Sequence, residues 1–370
     1  EYNNLQSITN IQYFDQETKT SRTVVEGDEV TLYAVWKETW AVHNEKPSGS
    51  GSTTDPYLIE NAQNLAWLSW KYEEGTSFDN GTTTPVCVQT ANIDLSEYEW
   101  LPIGNVDNSF MGAYDGNGYI ITNLQTFKIT NVTRANIGLF GHSTSATIKN
   151  TRVYGNIQAN DYTGGIVGYA INTNFSNCTN NATINVGNAG GGISGYLKSG
   201  SITSCYNYGN ITASTTSGFG VAGGITAYAE SSSVSNCYST GTITGYFAGG
   251  ITGGMTSTGN TMTSCAFEGT ATGTYAGGLS GFLNDANVSD CYAKAQVTST
   301  TNKGIYADGT GKILNCIIEI NEFKGYRGTD FSNWIISSDG RPLPSGLSWL
   351  AIGGEKVTDI SQISANYTKF

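Results

Sequence analysis

Apolar and polar residues alternate with a period of two along most of this chain, and the alternation itself recurs. Strands that open on or beside glycine start at Ile137, Gly164, Gly191, Gly223, Gly249, Gly277 and Lys303, so successive copies lie 26 to 32 residues apart. A period of two is that of a β-strand with one buried and one solvated face. Self-similarity at this longer spacing is the signature of a solenoid. Two columns follow the glycine-led strand. Leu139, Ile166, Ile193, Ile225, Ile251, Leu279 and Ile305 form an apolar one, and Gly141, Gly168, Gly195, Ala227, Gly253, Gly281 and Ala307 form one of minimal side chains.

A second strand in each copy is led by Thr151, Cys178, Cys205, Cys237, Cys265, Cys291 and Cys316. Steps of two from these positions give an inward set, such as Val153, Gly155 and Ile157, or Asn207, Gly209 and Ile211, or Ala293, Ala295 and Val297. The intervening residues form the outward set: Arg152, Tyr154 and Asn156, or Tyr206, Tyr208 and Asn210, or Tyr292, Lys294 and Gln296. Columns of like residues are expected when each copy is one coil of a parallel β-helix, because every side chain then stacks on its own equivalent roughly 4.8 Å away. The chain therefore predicts an all-β, right-handed parallel β-helix of about nine coils, on the order of 40 Å long. A Gly/Ala column leaves room for an opposing strand to approach.

The flanks read differently. Residues 1–38 carry strand-like "ITNIQYF" and "VTLYAVW" around a turn-like "EGDE", too short a segment to hold a core of its own. Residues 39–57, with "HNEKPSGSGSTTDP", read as a linker. Residues 58–85 hold the single clear helix, "IENAQNLAWLSWKYEEG", with Asn61 as N-cap and Ala62, Leu65, Ala66, Ser69 and Tyr72 on one face beside Leu68. Placed ahead of a repeat array, it caps an open core end that would otherwise expose apolar surface and strand edges. Residues 86–325 form the coils, and 326–370 a C-terminal cap and tail. "DGNG", at 115–118, reads as a tight turn rather than a calcium loop, since the twelfth residue from Asp115 is Thr126 and not Glu.

Composition narrows the function. The 370 residues include 47 Gly, 22 Tyr, 13 Phe and 7 Trp, with 13% charged residues, a mixture suited to an ordered, polar β protein. The net charge of −12 argues against a nucleic-acid surface. From 137 to 325 there are eight acidic and seven basic side chains, so the coils are nearly neutral. No apolar run approaches the ~18 residues of a membrane span. The first residue is Glu1, without initiator Met or signal peptide, and the chain is read as a piece of a longer protein.

"GLFGHSTSATIKNTRVYGNI", "GGIVGYA", "SNCYSTGTITGYFAGGI" and "YDGNGYIITNL" resemble the coils of the GLUG-motif family of bacterial surface proteins of adhesin type, over roughly residues 50–350. The segment "TLYAVW" resembles the end of a Listeria–Bacteroides repeat, a small β-grasp-like surface module, of which residues 1–38 would be the C-terminal part. The coil around Gly304, "KGIYADGTGKILNCIIEINE", lacks the double glycine of the others. The resemblance implies an extracellular protein on a bacterial cell surface.

Seven cysteines in such a protein invite disulfides. In a parallel stack, however, Cβ vectors stay parallel and near the strand spacing, beyond the ~3.8 Å a disulfide prefers, and no zinc-ligand spacing occurs. Cys178, Cys205, Cys237, Cys265, Cys291 and Cys316 are expected to be a column of buried free thiols. His142 occupies the place of the later tyrosines and reads as a surface substitution rather than a base. Asp285, Asp290 and Asp308 are the nearest approach to a carboxylate cluster, and no hydrolase, phosphate or metalloprotease motif is present. No metal or cofactor is implied.

Two outward aromatic columns remain as candidate ligand-binding positions: Tyr206, Tyr238 and Tyr292, and Tyr169, Tyr196, Tyr228 and Phe282. Sugar faces stack on such rings, and stacked rings also stabilise a coil exterior. The sequence thus points to a noncatalytic surface protein that adheres to a host or environmental glycan or protein. The alternatives are a stalk or accessory region of a larger surface protein such as a metallopeptidase, and a polysaccharide-active β-helix enzyme.

Overall fold

Like residues stack on like through most of the chain. The computed structural model describes residues 40–78, 81, 83–126, 136–216, 220–300, 303–314 and 316–320, with short strands at 12–15, 20–23, 330–332, 335–337, 350–352 and 355–357. Two compact units divide it, Glu1–Lys37 and Glu38–Phe370. In the first, Gln12–Asp15 pairs antiparallel with Thr20–Thr23. The expected strand "VTLYAVW" lies outside the described residues.

The second unit is an all-β parallel solenoid of about nine turns with one α-helix among the described residues. Parallel register carries one column from Tyr57 through Cys87, Tyr114, Ile148, Phe175, Ile202, Val234, Met262 and Val288 to Ile313. All of these side chains are buried. A second column runs Ile157, Ile184, Ile211, Ile243, Ala271, Val297, also buried. Burial of apolar columns, at roughly 25 cal/mol per Å2, drives the stack to form.

The repeated double glycine has a steric cause. A Cβ on the second glycine would strike the facing column: Gly165 against Asn180 Oδ1 at 2.2 Å, Gly192 against Asn207 Oδ1 at 2.5 Å, Gly224 against Ser239 Oγ at 2.1 Å and Gly250 against the Phe267 ring at 2.2 Å. A Cβ on the first glycine would meet backbone, as at Gly191, 2.1 Å from Ser194 O. The minimal-side-chain column behaves likewise, since a Cβ on Gly195 would lie 2.4 Å from Thr163 N. At these glycines a Cβ could be admitted only if backbone or a packed side chain shifted, and in the minimal-side-chain column alanine, at Ala227 and Ala307, is the largest residue among the described copies.

The corners of the coil are set by left-handed residues. Asn150, Asn177, Ser204, Asn236, Ser264 and Asp290 adopt φ of 52° to 56°, and Ser145, Asn172, Ser199, Ser231 and Asp285 adopt 48° to 53° at a second corner. Short polar side chains tolerate this region best. At the first corner the next residue closes the turn: Thr151 Oγ1 donates to Lys149 O at 3.0 Å, and Sγ of Cys205, Cys237, Cys291 and Cys316 donates to the carbonyl two residues back at 3.1 to 3.3 Å. Thr173 and Ser232 do the same at the second corner, at 3.0 and 2.7 Å. The cysteine column is therefore a donor column as well as an apolar one. All seven cysteines are buried free thiols, and the seventh, Cys87, stands in the Tyr57–Ile313 column instead.

The helix Ala62–Glu74 starts where expected. Asn61 Oδ1 accepts from Asn64 N at 2.8 Å, and Gly75 ends it at φ 62°. The expected face is buried, joined by Asn64 and Trp67. Trp67 packs edge-on to Tyr57, the first residue of the first column, with ring centroids 5.1 Å apart, and Tyr72 packs edge-on to Phe110 at 5.7 Å. The stretch ahead of the helix is tied to the solenoid at several points. Trp40 is buried and its Nε1 donates to Leu95 O at 3.1 Å, Leu58 N donates to Ser48 O at 2.9 Å, and Val86 N donates to Gly51 O at 2.9 Å. At the far end, parallel pairing continues past the coil around Gly304, with Lys312–Leu314 on Asp330–Ser332 and Ile317–Glu319 on Ile335–Ser337.

Candidate ligand-binding surface

Two outward columns leave the solenoid with different characters. The first runs His142, Tyr169, Tyr196, Tyr228, Gly254, Phe282 in register. Tyr169 and Tyr196 stack 4.7 Å apart at 8°, and His142 stacks on Tyr169 at 5.2 Å. Tyr162 meets Tyr169 and Tyr196 edge-on at 5.4 and 5.3 Å. Gly254 separates Phe282 from Tyr228, and Phe282 packs instead near Phe247, 6.0 Å away.

These rings are half-buried and committed to one another. Burial pushes the Tyr228 hydroxyl up to about 12 and raises Tyr169 and Tyr162 as well. Tyr196 donates its hydroxyl to Glu230 Oε2, and Lys198 Nζ pairs with Glu230 Oε1 at 2.8 Å. That Lys198 contact, followed by the Tyr196 hydroxyl, holds the Glu230 carboxyl below its usual range. His142 is not a surface substitution. It is buried, with Nδ1 2.7 Å from Ser109 Oγ, and burial lowers its pKa, so it heads the stack as a neutral ring.

The second column runs Arg152, Thr179, Tyr206, Tyr238, Ala266, Tyr292. Tyr292 departs from the outward expectation: it is only 4% exposed, beside an equally buried Ala266. Tyr206 and Tyr238 are adjacent and partly open, and Tyr238 donates to Glu268 Oε2 at 3.2 Å. Burial, then the Glu268 charge, raises the Tyr238 hydroxyl to about 12.

Where this column meets the first corner, an open groove of about 670 Å3 crosses four successive coils. Asn117 and Gly118 come from the first of these coils. Asn150, Arg152 and Tyr154 come from the second, Asn177, Thr179 and Asn181 from the third, and Tyr206 and Tyr208 from the fourth. Tyr154 and Tyr208 are 40% and 49% exposed, against a fully buried Val153 and Asn207 one residue earlier on the chain's inner face. Of the expected site residues only Tyr206 lines this groove. Tyr154 and Tyr208 were legible only as outward positions, because identity of residue between coils marks stacking, and the groove is made by residues that change from coil to coil.

The carboxylate nearest the groove is spoken for. Asp115 Oδ1 accepts from Asn117 N and Asn150 Nδ2, both at 2.8 Å, and its Oδ2 lies 3.1 Å from Lys149 Nζ. Its partial burial works against the charged form, but the bonds from Asn150, Asn117 and Lys149 outweigh it and hold the carboxyl below the usual range. "DGNG" is thus a turn whose Asp closes onto the next coil. Asp285 and Asp290 are explained in the same way, as left-handed corner residues.

Residues 159–185 match the family profile of the GLUG motif. The stretch is one complete coil, from the end of the strand led by Thr151 to the corresponding strand led by Cys178. The chain carries a GLUG coil. Over 93 residues it is 38% identical to a protein of Evansella cellulosilytica provisionally named a Gly-rich membrane protein, a match covering 25% of this chain and 10% of that one. The chain thus spans about a tenth of the length of this curated relative. A solved structure from Bacteroides ovatus, provisionally named an immunoglobulin A1 protease, superposes with a TM-score of 0.50 at 21% identity, covering 78% of this chain and 86% of that one. Identity at that level speaks for a shared fold alone. Among the described residues no helix is long and apolar enough to cross a membrane.

Proposed function

We propose that this chain is a noncatalytic part of a bacterial surface protein, and that it adheres by binding a carbohydrate in the groove lined by Tyr154, Tyr206 and Tyr208. The observation that carries this reading is the lining itself: three partly open rings among asparagine and threonine side chains, spread over four rigid coils. Pyranose rings offer apolar C–H faces to aromatic rings, and hydroxyls to amides, and a rigid platform binds without losing side-chain freedom. A hydrolytic reading would need paired carboxylates, and the groove lining contains none. The extracellular, surface-displayed setting rests on the GLUG coil and on the membrane-protein name of the Evansella relative. The first unit, with its antiparallel strand pair, is read as the end of a Listeria–Bacteroides-type module.

A second reading is favoured by the Bacteroides ovatus neighbour, whose name is that of a protease. The coils would then be an accessory region beside a peptidase, presenting it rather than binding a ligand. Glycan-array binding separates the two. The adhesive reading expects a defined glycan signal that Tyr206→Ala combined with Tyr208→Ala removes at unchanged melting temperature. A signal untouched by the pair would move the binding site off the groove, and no signal at all would leave the accessory role in its place.

A further inference from the structure

Among the residues that line the groove, Arg152 bears the only charge. Its side chain is exposed and forms no ion pair among the described residues, although Lys149, three residues earlier, is paired to Asp115. The local acid is therefore already neutralised by a lysine and two amide donors, while the guanidinium stands uncompensated. Arg152 is in register with Thr179 and, one coil further, Tyr206, so its charge lies on the same strip as the ring that would stack a sugar. The rest of the coil body is close to neutral, within a chain of net charge −12. A lone cation there is a local feature and no part of a basic surface.

We infer that the groove selects an anionic saccharide, one bearing a carboxylate or sulfate that Arg152 receives while Tyr206 and Tyr208 stack the adjoining rings. A planar guanidinium binds a planar carboxylate through two parallel hydrogen bonds and a sulfate through two of its oxygens. Nucleic acid, which also combines anion and ring, requires several phosphate contacts along its backbone, and the groove lining offers one cation. This inference rests on the carbohydrate-binding reading and adds the charge of the ligand to it.

The test uses a pair of probes that differ only at the carboxyl group, an oligogalacturonate tetrasaccharide and its uncharged full methyl ester, with the intact chain in isothermal titration at low salt. A hydrogen-bonded charge contact contributes about 1.5–3 kcal/mol, so the acid should bind at least roughly tenfold more tightly than the ester. Arg152→Gln should erase that ratio by weakening the acid tenfold or more beyond any change in the ester, whereas Tyr208→Ala should weaken both by a similar factor. A sulfated tetrasaccharide run alongside distinguishes sulfate from carboxylate as the preferred anion. Equal binding of acid and ester overturns the inference while leaving carbohydrate binding intact. Binding of neither these nor any arrayed glycan overturns the carbohydrate reading itself. Tighter binding of a single-stranded oligonucleotide than of either sugar overturns both.

Discussion

Inside the solenoid, Asn180 Nδ2 donates to Asn207 Oδ1 at 2.8 Å, one coil to the next. The same amides also satisfy backbone, for Asn180 bonds Ala182 through both its nitrogen and its oxygen, and Asn207 Nδ2 donates to Gly209 O at 3.0 Å. Both side chains are fully buried. The ladder runs on to Ser239 Oγ at 3.3 Å and then gives way to Phe267. A buried amide stripped of its partner loses the bond and keeps the desolvation cost. Asn207→Leu, which takes one partner each from Asn180 Nδ2, Ser239 Oγ and the Gly209 carbonyl, should lower the unfolding free energy by about 2–4 kcal/mol in urea titration. A change under about 0.5 kcal/mol would show the ladder to be incidental.

The same column explains a glycine effect. A Cβ on Gly192 would lie 2.3 Å from Gly224 O and 2.5 Å from Asn207 Oδ1, while one on Gly118 meets nothing within 4 Å. Gly192→Ala must displace backbone and should cost on the order of 3 kcal/mol, toward the upper end for overpacking. Gly118→Ala, at φ 81°, pays only backbone strain of about 1 kcal/mol. The urea midpoints of the two variants should rank in that order, and a reversed ranking would refute the packing account of the double glycine.

Each cysteine of the column donates to a corner carbonyl, and Thr151 fills the same role with a hydroxyl. Cys237→Thr, which keeps a donor, should therefore be milder than Cys237→Val, which is similar in shape but leaves Ser235 O without that bond. The difference should be about 1 kcal/mol. Burial pushes the Cys205, Cys237 and Cys291 thiols up, so they stay protonated and unreactive at pH 8. Iodoacetamide should label none of these in the folded chain and all seven cysteines in denaturant without reductant; fewer than about four labelled after unfolding would mean that disulfides form.

Asp115 ties its turn to the next coil as a carboxylate, with its folded pKa below the unfolded value. A depressed pKa contributes stability that is present above the ordinary carboxylate range and is lost as pH falls through the folded value. Wild type should accordingly lose stability between about pH 5 and pH 2 more steeply than Asp115→Asn, with the two curves converging at the acid end. Parallel curves would show that the Lys149 contact is too solvated to matter.

The coil and its register were legible because stacking demands like residues in each copy, and likeness at a fixed spacing is visible in a sequence. Ile166 and Gly195 could be placed on that ground, and Asn61 on the separate ground of helical periodicity and capping. What the alternation could not show was the role of a residue already assigned to the inside. Asn207 read as an inner position without its ladder, and Cys205 as a small apolar side chain without its hydrogen bond. Outward residues were harder still. Tyr292 alternates like Tyr206 but is buried, since a period of two tells which face a residue takes and says nothing of what later covers it.

Tyrosines of the two outward columns should consequently separate in experiment. Tyr196 is stacked on Tyr169, crossed by Tyr162 and bonded to Glu230, so its ring is part of the fabric of the wall. Tyr208 is 49% exposed at the groove and, among the rings of the described residues, meets Tyr238 alone, edge-on at 6.3 Å. Tyr196→Ala should lower stability by about 1–3 kcal/mol through lost aromatic packing and leave glycan affinity unchanged. Tyr208→Ala should leave the urea midpoint nearly unchanged and reduce affinity tenfold or more if its ring forms the stacking platform. Measured together, the two variants assign stability to one column and recognition to the other. Loss of binding in Tyr196→Ala, at retained fold, would move the site to the first column.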